Sequence, residues 1–498
     1  METTAGTTGL RLGTAQGRWV VAAAALGSGM AMLDGTVVNV ALPSIGADLG
    51  ASLAALQWTV NAYLLTLAGL ILLGGALGDR YGRRRVFVIG VVWFAGASAL
   101  CAIAPGVGVL IAARALQGIG GALLTPGSLA LLQASFHPDD RSAAVGAWSG
   151  LGGVATAVGP FLGGWLVSGP GWRWIFLLNV PVAVVVAFLT VRHVPESRDE
   201  QEVGRFDVSG AVLAALALGG VTYALTAAGE AITPGVWVSA AAGLLLGWAF
   251  VVVERRSPQP MLPLELFDSR LFTAVNVVTL GVYGALGGVF FFLQVQLQTV
   301  AGFSPLVAGV AFAPVTLLML LLSARAGRLA NVIGPRLPLT VGPVVCAAGV
   351  LLMIRIGPGA SYWTDVLPAA LVFGVGLTAL VAPLTATVLA AVEVRRAGIA
   401  SGVNNAAARA AGLLAVAALP LLTGLSGEQY QQAAAVDSAF RTAMLICAGL
   451  LVAAGLLAAL TVPGRPPAEA AEPDGTWYCA TTGPPVDPGH ECPGSAGP

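Results

Sequence analysis

The sequence is poor in charge and contains no lysine. Only 10% of its 498 residues are charged, 57% are hydrophobic, and all 24 basic residues are arginine. A water-soluble chain of this size carries about 25% charged residues, so the composition excludes a soluble enzyme. The formal net charge is zero, which leaves no overall basic field. We therefore expect no nucleic-acid partner.

Other kinds of chemistry lack the residues that they need. The five cysteines show neither metal-ligand nor disulfide spacing, so we expect no metal site and no cofactor. The three histidines lie outside the apolar runs, and no run carries a paired nucleophile and base, which argues against a membrane-embedded enzyme. No glycine-rich run ends in Gly-Lys-Ser or Gly-Lys-Thr, so ATP is not the expected energy source.

Long apolar runs are the dominant feature of the chain. A helix needs about 20 residues to cross a hydrocarbon core, and runs such as 19–42, 86–104 and 443–462 reach that length. The first run is too long for a signal-peptide core, so we interpret it as a span. The pattern predicts an all-α integral membrane protein. Its fourteen spans centre near Met30, Leu65, Phe94, Leu116, Ala155, Val184, Leu216, Leu245, Gly284, Ala313, Ala347, Val375, Leu413 and Leu451.

Arginine is distributed unevenly about these spans. Only Arg173, Arg355 and Arg441 fall on one side, Arg114 and Arg409 fall inside spans, and the rest lie on the other side. Basic residues collect in cytoplasmic loops. Both termini of this multi-pass protein are therefore predicted to be cytoplasmic, with the spans in the cell inner (cytoplasmic) membrane.

Two loops repeat one another along the chain. Residues 75–84 align with 327–336 at matching glycines, a leucine and an arginine, whereas Asp79 becomes asparagine in the second copy. A second pair of segments aligns at nearly the same offset, and there Arg114 becomes leucine; chance similarity of alanine-rich helices is the alternative for this pair alone. Two related bundles are predicted, with the charged machinery in the first.

The polar segments that separate the apolar runs predict how the chain is divided into domains. The C-terminal segment is rich in proline and glycine, which predicts disorder, although Cys479, His490 and Cys492 leave a weak metal-site alternative. The plan comprises a cytoplasmic N-terminus (1–18), an N-terminal six-helix bundle (19–192), a cytoplasmic loop (193–206), two inserted transmembrane helices (207–256), a cytoplasmic loop (257–270), a C-terminal six-helix bundle (271–462) and a disordered cytoplasmic tail (463–498).

Four motifs carry a family resemblance. Residues 75–85 resemble the cytoplasmic loop signature of the major facilitator superfamily, and 114–121 resemble its fourth-helix motif. Residues 159–164 resemble the fifth-helix motif of its antiporters, and 33–43, with fourteen spans, resemble the fourteen-helix drug:proton antiporter family. The resemblance covers about residues 19–462. It implies the major facilitator fold, two six-helix bundles plus two inserted helices.

Asp34 and Arg114 are the predicted proton-coupling residues. Asp34 lies deep in the first run, and a buried carboxylate is costly unless it is paired or neutralised; the alternative is a residue near the span end that reaches water. Arg114 lies mid-span, with Asp34 as its nearest candidate partner. Bonding of Arg114 to backbone carbonyls alone is the other possibility. The resemblance places a functional acid at Asp34.

Two motifs suggest mechanical roles. Arginines of the first loop can pair with helix ends or with carboxylates of the other bundle, which predicts a conformational latch, unless they only fix topology. The latch comprises Gly75, Asp79, Arg80, Gly82, Arg83 and Arg84. The small residues of the fifth span permit close helix approach, although ordinary packing would use them too. This antiporter helix-packing motif, which by resemblance favours export, comprises Gly159, Pro160, Gly163 and Gly164.

A substrate cavity is predicted from polar and aromatic residues on the spans, although core packing predicts the same residue types. It comprises Asn39, Gln57, Tyr63, Gln117, Trp148, Phe291, Asn404, Asn405 and Arg409. The combined hypothesis is proton-coupled efflux of lipophilic, cationic or amphipathic small molecules by a monomer in the lipid bilayer, through alternating access. A dedicated exporter of one metabolite and a lipid-translocating transporter remain alternatives; a channel or sensor would not need the antiporter-like motifs.

Overall fold

Helices make up nearly all of the described residues. The computed structural model describes residues 9–198, 207–257, 260–393 and 396–464, and within these ranges the only β pairing is an isolated bridge between Leu10 and Phe136. The all-α prediction is confirmed. Most of the predicted tail, residues 1–8 and most of the loop 193–206 lie outside the described residues.

The helices follow one another with short connections. Their bounds are α1 Ala15–Leu49, α2 Leu53–Tyr81, α3 Arg83–Ala102, α4 Val107–Ser135, α5 Pro138–Ser168, α6 Arg173–Leu177, α7 Asn179–His193, α8 Val208–Ala228, α9 Pro234–Arg256, α10 Arg270–Val295, α11 Pro305–Val310, α12 Ala313–Ile333, α13 Arg336–Met353, α14 Leu367–Ala390, α15 Ala397–Thr423 and α16 Ala433–Thr461.

Thirteen stretches of helix in the described residues are long and apolar enough to span a membrane. The remaining predicted span coincides with α5, whose described apolar stretch is Val158–Ser168. All fourteen predicted centres thus fall within helices. The tenth span is discontinuous, because the chain turns between α11 and α12 just before Pro314.

Helix packing separates two groups. Helices α1 to α7 pack on one another, as do α10 to α16, and we call these the first and second bundles. The inserted helices α8 and α9 pack together, and α8 also touches both α2 and α15. The bundles meet where α2 packs on α15, α5 on α11 and α12, and α1 on α10.

The backbone supports the internal repeat. Gly82 ends α2 with φ +105°, and Gly334 ends α12 with φ +85°, a region that side chains with a Cβ rarely adopt. The amide of each glycine donates to a carbonyl four residues earlier, Gly78 and Ala330 respectively. The two aligned loops therefore turn in the same way.

The bundles are joined by hydrogen bonds at one end of the helices. We call the end where α1 begins and α2 ends the arginine-rich end, and the other the opposite end. Gln57 donates to the carbonyls of Val416 (2.6 Å) and Ala417 (3.2 Å), and the hydroxyl of Tyr430 donates to the Ala51 carbonyl (2.7 Å). Gln298 donates to Val40, and the Leu306 amide donates to Ser168. Among the described residues, every bundle-to-bundle hydrogen bond lies in the half of the molecule toward the opposite end.

Candidate functional site

An ion pair lies inside the first bundle. Nη1 of Arg114, on α4, is 2.5 Å from Oδ2 of Asp34, on α1, and both side chains are 1% exposed. Nε of Arg114 also donates to the Thr59 carbonyl at 3.0 Å. The predicted pairing is therefore present in the structure, and it is buried inside the first bundle.

Three amide and hydroxyl side chains complete the network. Gln117 donates to Oδ1 of Asp34 (2.8 Å) and accepts from Nη1 of Arg114 (2.6 Å), so it bonds both charges. Asn179, at the start of α7, donates to the same Oδ1 at 3.1 Å. The Ser98 hydroxyl accepts from both Gln117 (2.8 Å) and Asn179 (3.3 Å). Asp34 thus accepts from three donors, Arg114, Gln117 and Asn179.

Aromatic rings close the site. The Arg114 guanidinium lies 4.3 Å from the ring centroid of Tyr63 and 5.8 Å from that of Phe176. The Tyr63 hydroxyl donates to the Ala31 carbonyl at 3.2 Å, which fixes its ring against the arginine. A cation over an aromatic face is attracted by the ring quadrupole. These two rings hold the Arg114 guanidinium in place and exclude water from it.

Sequence reasoning missed Asn179 and Ser98. Asn179 is a lone amide in the apolar run 175–191, and such a residue within a span is a signal for a polar partner. Ser98 carried no such signal, since serine is common on helices that pack closely. The sequence places Gln117 in the substrate cavity, whereas in the structure it is completely buried and bonds both members of the ion pair.

The other predicted cavity residues of the first bundle differ in accessibility. Asn39 is half-buried and donates to Gly35 of its own helix, and Trp148 donates to Ser28 at 2.7 Å. Gln57 is buried in the bundle-to-bundle contact and Tyr63 is buried against Arg114. In the second bundle, Phe291 is 2% exposed and packs on Phe292 in the core. Few of these side chains are free to meet a substrate in this conformation.

Helix α15 presents two different faces. Asn404 is turned into the second bundle, where it donates to Asn276 (3.2 Å) and Thr279 (2.8 Å) of α10. Asn405 is exposed and Arg409, one turn later, is half-buried. Nε of Arg409 is buried without a hydrogen-bond partner among the described residues. The two adjacent asparagines therefore lie in different surroundings, and only Asn405 shares a helix face with Arg409.

The loop after α2 binds its own bundle. Asp79 accepts from Nε and Nη2 of Arg83, both at 2.8 Å. Arg84 reaches the Val194 carbonyl (3.2 Å) and lies 3.7 Å from Glu196, in the segment after α7. Arg80 lies over the ring of Tyr81. The described partners of Asp79, Arg83 and Arg84 belong to the first bundle, whereas sequence analysis expected the arginines to reach helix ends or carboxylates of the second.

Two further glycines bear on the predicted motifs. The φ of +105° favours glycine at Gly82, and a Cβ there would lie 2.7 Å from Oε1 of Glu196, so the Glu196 carboxylate would also have to move. Gly75 faces Pro126 of α4 at ordinary contact distance. Gly82 therefore constrains the conformation of the loop more than Gly75 does.

The small residues of α5 serve two contacts. A Cβ on Gly159 would lie 2.1 Å from Oγ1 of Thr36, and one on Gly163 would lie 3.0 Å from Val37, so both face α1. Gly164 faces the second bundle, because its Cβ would lie 2.5 Å from the Pro305 carbonyl oxygen. The Pro160 carbonyl lies against Gly309 of α11. The motif therefore sets the spacing of α5 to α1 and to the second bundle together.

Comparison with known proteins gives a consistent result. The family model described as Major Facilitator Superfamily matches residues 24–416. The chain is 36% identical over 468 residues to the puromycin resistance protein pur8 of Streptomyces alboniger, covering 90% of this chain and 91% of that protein. It is 37% identical over 413 residues to the tetracenomycin C resistance and export protein of Streptomyces glaucescens, covering 80% and 74%.

Solved structures show the same architecture. A mutant of the peptide transporter POT in complex with sulfate superposes with a TM-score of 0.64 at 16% identity, covering 92% of this chain and 98% of that one. At this identity the likeness concerns the fold alone.

Proposed function

Because the chain belongs to the major facilitator superfamily, and is thus a multi-pass membrane transporter, we propose that it exports lipophilic small molecules in exchange for protons. Relatives named for resistance to puromycin and for resistance to and export of tetracenomycin C support efflux of drugs or antibiotics. The observation that carries proton exchange is the buried pair of Asp34 and Arg114, the only mid-membrane carboxylate–arginine contact among the described residues.

The pair provides a protonatable group whose access can alternate. In this conformation the Asp34 side chain is buried and accepts hydrogen bonds from three donors. A movement that opens the first bundle lets a proton reach Asp34, which breaks its attraction to Arg114. Each proton that moves inward draws about 2.3 kcal/mol from a potential of 100 mV, and a pH gradient adds to that.

The hydrogen-bonded contact between the two bundles supports alternating access. Gln57, Gln298 and Tyr430 join the bundles toward the opposite end, and under the proposed topology that end is external. The conformation is then closed to the outside, with release requiring these bonds to part. Among the described residues, the contacts of Asp79, Arg83 and Arg84 lie within the first bundle, which supports a latch whose Asp79–Arg83 pair does not bind the second bundle in this state.

Topology and domain plan complete the proposal. We assign the arginine-rich end and both termini to the cytoplasmic side of the inner membrane, and the chain acts as a monomer. A reporter fused after Arg141 or Arg336 should read cytoplasmic, and one fused after Pro234 external. The opposite pattern would overturn the orientation and with it the direction of transport.

Transport in everted vesicles tests the function. Vesicles from an efflux-deficient host that expresses the chain should accumulate tetracenomycin C or other antibiotics that carry no amine when the interior is made acidic, and nigericin should abolish this uptake. Susceptibility to the same compounds should fall in cells. Uptake that is equal with and without the pH gradient would contradict proton exchange. Uptake of only one compound from a broad panel would favour a dedicated exporter.

A further inference from the structure

Arg409 is a cation in the middle of the membrane that has no counter-charge among the described residues. It is the thirteenth residue of α15, about 18 Å from the start of that helix at 1.5 Å per residue. The described residues give its guanidinium no hydrogen bond and no ion pair, and its Nε is buried. Arg114, the other arginine inside a span, has a carboxylate, an amide oxygen and a carbonyl.

No carboxylate of the second bundle lies at the depth of Arg409. In the described part of this bundle the acidic residues all stand near helix ends, and they are Glu265, Asp268, Asp365, Glu393, Glu428 and Asp437. Asp365 and Asp437 already pair with arginines at the opposite end, and Glu265 pairs with Arg396. Since Asp34 and Arg114 cancel one another, Arg409 leaves one uncompensated positive charge between the bundles.

Arg409 faces the space between the bundles and not lipid. Gly402 lies two turns earlier on the same face of α15, and a Cβ added there would lie 2.7 Å from Cδ2 of Leu72 on α2, so this face is turned toward the first bundle. Asn405 lies one turn earlier on the same face and is exposed, with its amide bonded only to its own helix. Ionisable groups at such a depth mark substrate or ion pathways, and a guanidinium matches a carboxylate through two parallel hydrogen bonds.

We propose that Arg409 is the substrate-recognition residue of the cleft, and that the exported molecules are lipophilic organic acids whose carboxylate or ionised phenol binds its guanidinium. This inference rests on the proposed export function and names its substrate class. It departs from the cationic substrate that the sequence suggested, because a second cation beside Arg409 would be repelled.

Acid binding at Arg409 is compatible with proton exchange. The pair of Asp34 and Arg114 is enclosed by Tyr63, Phe176 and Gln117, so an acid at Arg409 does not touch it. The hydrogen bonds and ion pair of Asp34 therefore stay in place when an acid binds at Arg409. The two arginines then have separate tasks: Arg114 holds the proton-binding group, and Arg409 holds the cargo.

Three matched fluorescent probes test the charge preference without any transport. Anthracene-9-carboxylate, 9-(hydroxymethyl)anthracene and 9-(aminomethyl)anthracene share one ring system and differ in charge at pH 7. Equilibrium binding to the purified full-length protein in detergent should show the acid binding at least tenfold more tightly than the alcohol, and the amine most weakly.

Variants test whether Arg409 is the residue that makes the acid bind more tightly than the alcohol. Arg409→Gln should lose about tenfold in affinity for the acid while keeping the affinity for the alcohol, and Arg409→Lys should restore part of it. Asn405→Ala, on the same face, should weaken the acid and the alcohol alike. Monodisperse elution and an unchanged melting temperature report folding, and the Lys variant serves if the Gln variant aggregates.

The outcomes separate this inference from the export function. Equal binding of acid and alcohol, no measurable binding of the acid at millimolar concentration, or an acid preference that survives in Arg409→Gln would each overturn the proposed substrate class. None of these results bears on proton-driven export, which the vesicle experiment tests by itself.

Discussion

Asn179 should set the pH range of transport. Its amide donates to Oδ1 of Asp34 at 3.1 Å and to the Ser98 hydroxyl at 3.3 Å, and it is 1% exposed. Asn179→Ala removes one of the three donors to the carboxylate. A hydrogen bond to a charged group is worth about 1.5–3 kcal/mol. The lower value applies, because the contact is long and two donors remain.

That loss translates into a shift of the transport profile. A change of 1.36 kcal/mol between protonation states corresponds to about one pH unit. Because the lost donor favoured the ionised carboxylate, Asp34 should hold its proton to a higher pH. The pH at half-maximal proton-linked exchange in proteoliposomes should therefore rise by about one unit in Asn179→Ala.

Asn276→Ala provides the matched control. Asn276 is a buried amide of the second bundle that bonds the Phe272 carbonyl and Asn404. Its removal should affect stability to a similar degree but leave the pH profile in place. An unshifted profile in Asn179→Ala, or an equal shift in Asn276→Ala, would refute the assigned network.

Other changes test separate parts of the structure. Arg114→Ala leaves a buried carboxylate unpaired, which costs about 3–5 kcal/mol if the charge remains, so the pH profile of transport should move upward by more than in Asn179→Ala; no shift would contradict the pairing. Gln57→Ala removes two hydrogen bonds between the bundles, each worth about 1 kcal/mol, and a single cysteine introduced beside this contact on the external side should become more reactive by at least fivefold. Asp79→Ala should slow exchange without changing substrate affinity, since the Asp79 pair is partly exposed and adds little stability; unchanged turnover would leave the loop as a topology device. Gly164→Ala forces a Cβ to within 2.5 Å of the Pro305 carbonyl oxygen, so α5 should separate from α11 and protons should leak across proteoliposomes.

The helical fold was accessible to sequence reasoning because lipid imposes simple rules. A span must be apolar and about 20 residues long, and each of the fourteen predicted centres falls in a helix. The break between α11 and α12 was not predicted, because Pro314 lies inside an apolar run whose hydropathy is uninterrupted.

The site was predictable only where charge stood out against an apolar background. Asp34 and Arg114 are rare residue types for a span, and their contact could be inferred from the cost of leaving either unpaired. To predict which polar residues bond one another, the rotation of each helix about its own axis must be known. Asn404 and Asn405 are identical and adjacent, yet one bonds α10 and the other is exposed. Glu196 likewise meets Arg84 across a distance in sequence that no periodicity reveals.

The central claim is that Asp34 carries the proton. Asp34→Asn keeps the size of the side chain and can still bond Arg114 through its amide oxygen, so the variant should reach the membrane in normal amount. In everted vesicles with an imposed pH gradient, it should retain substrate binding and lose uphill accumulation, whereas the wild-type protein accumulates substrate until nigericin is added. Accumulation by Asp34→Asn vesicles at the wild-type level would place the coupling group elsewhere and contradict the account.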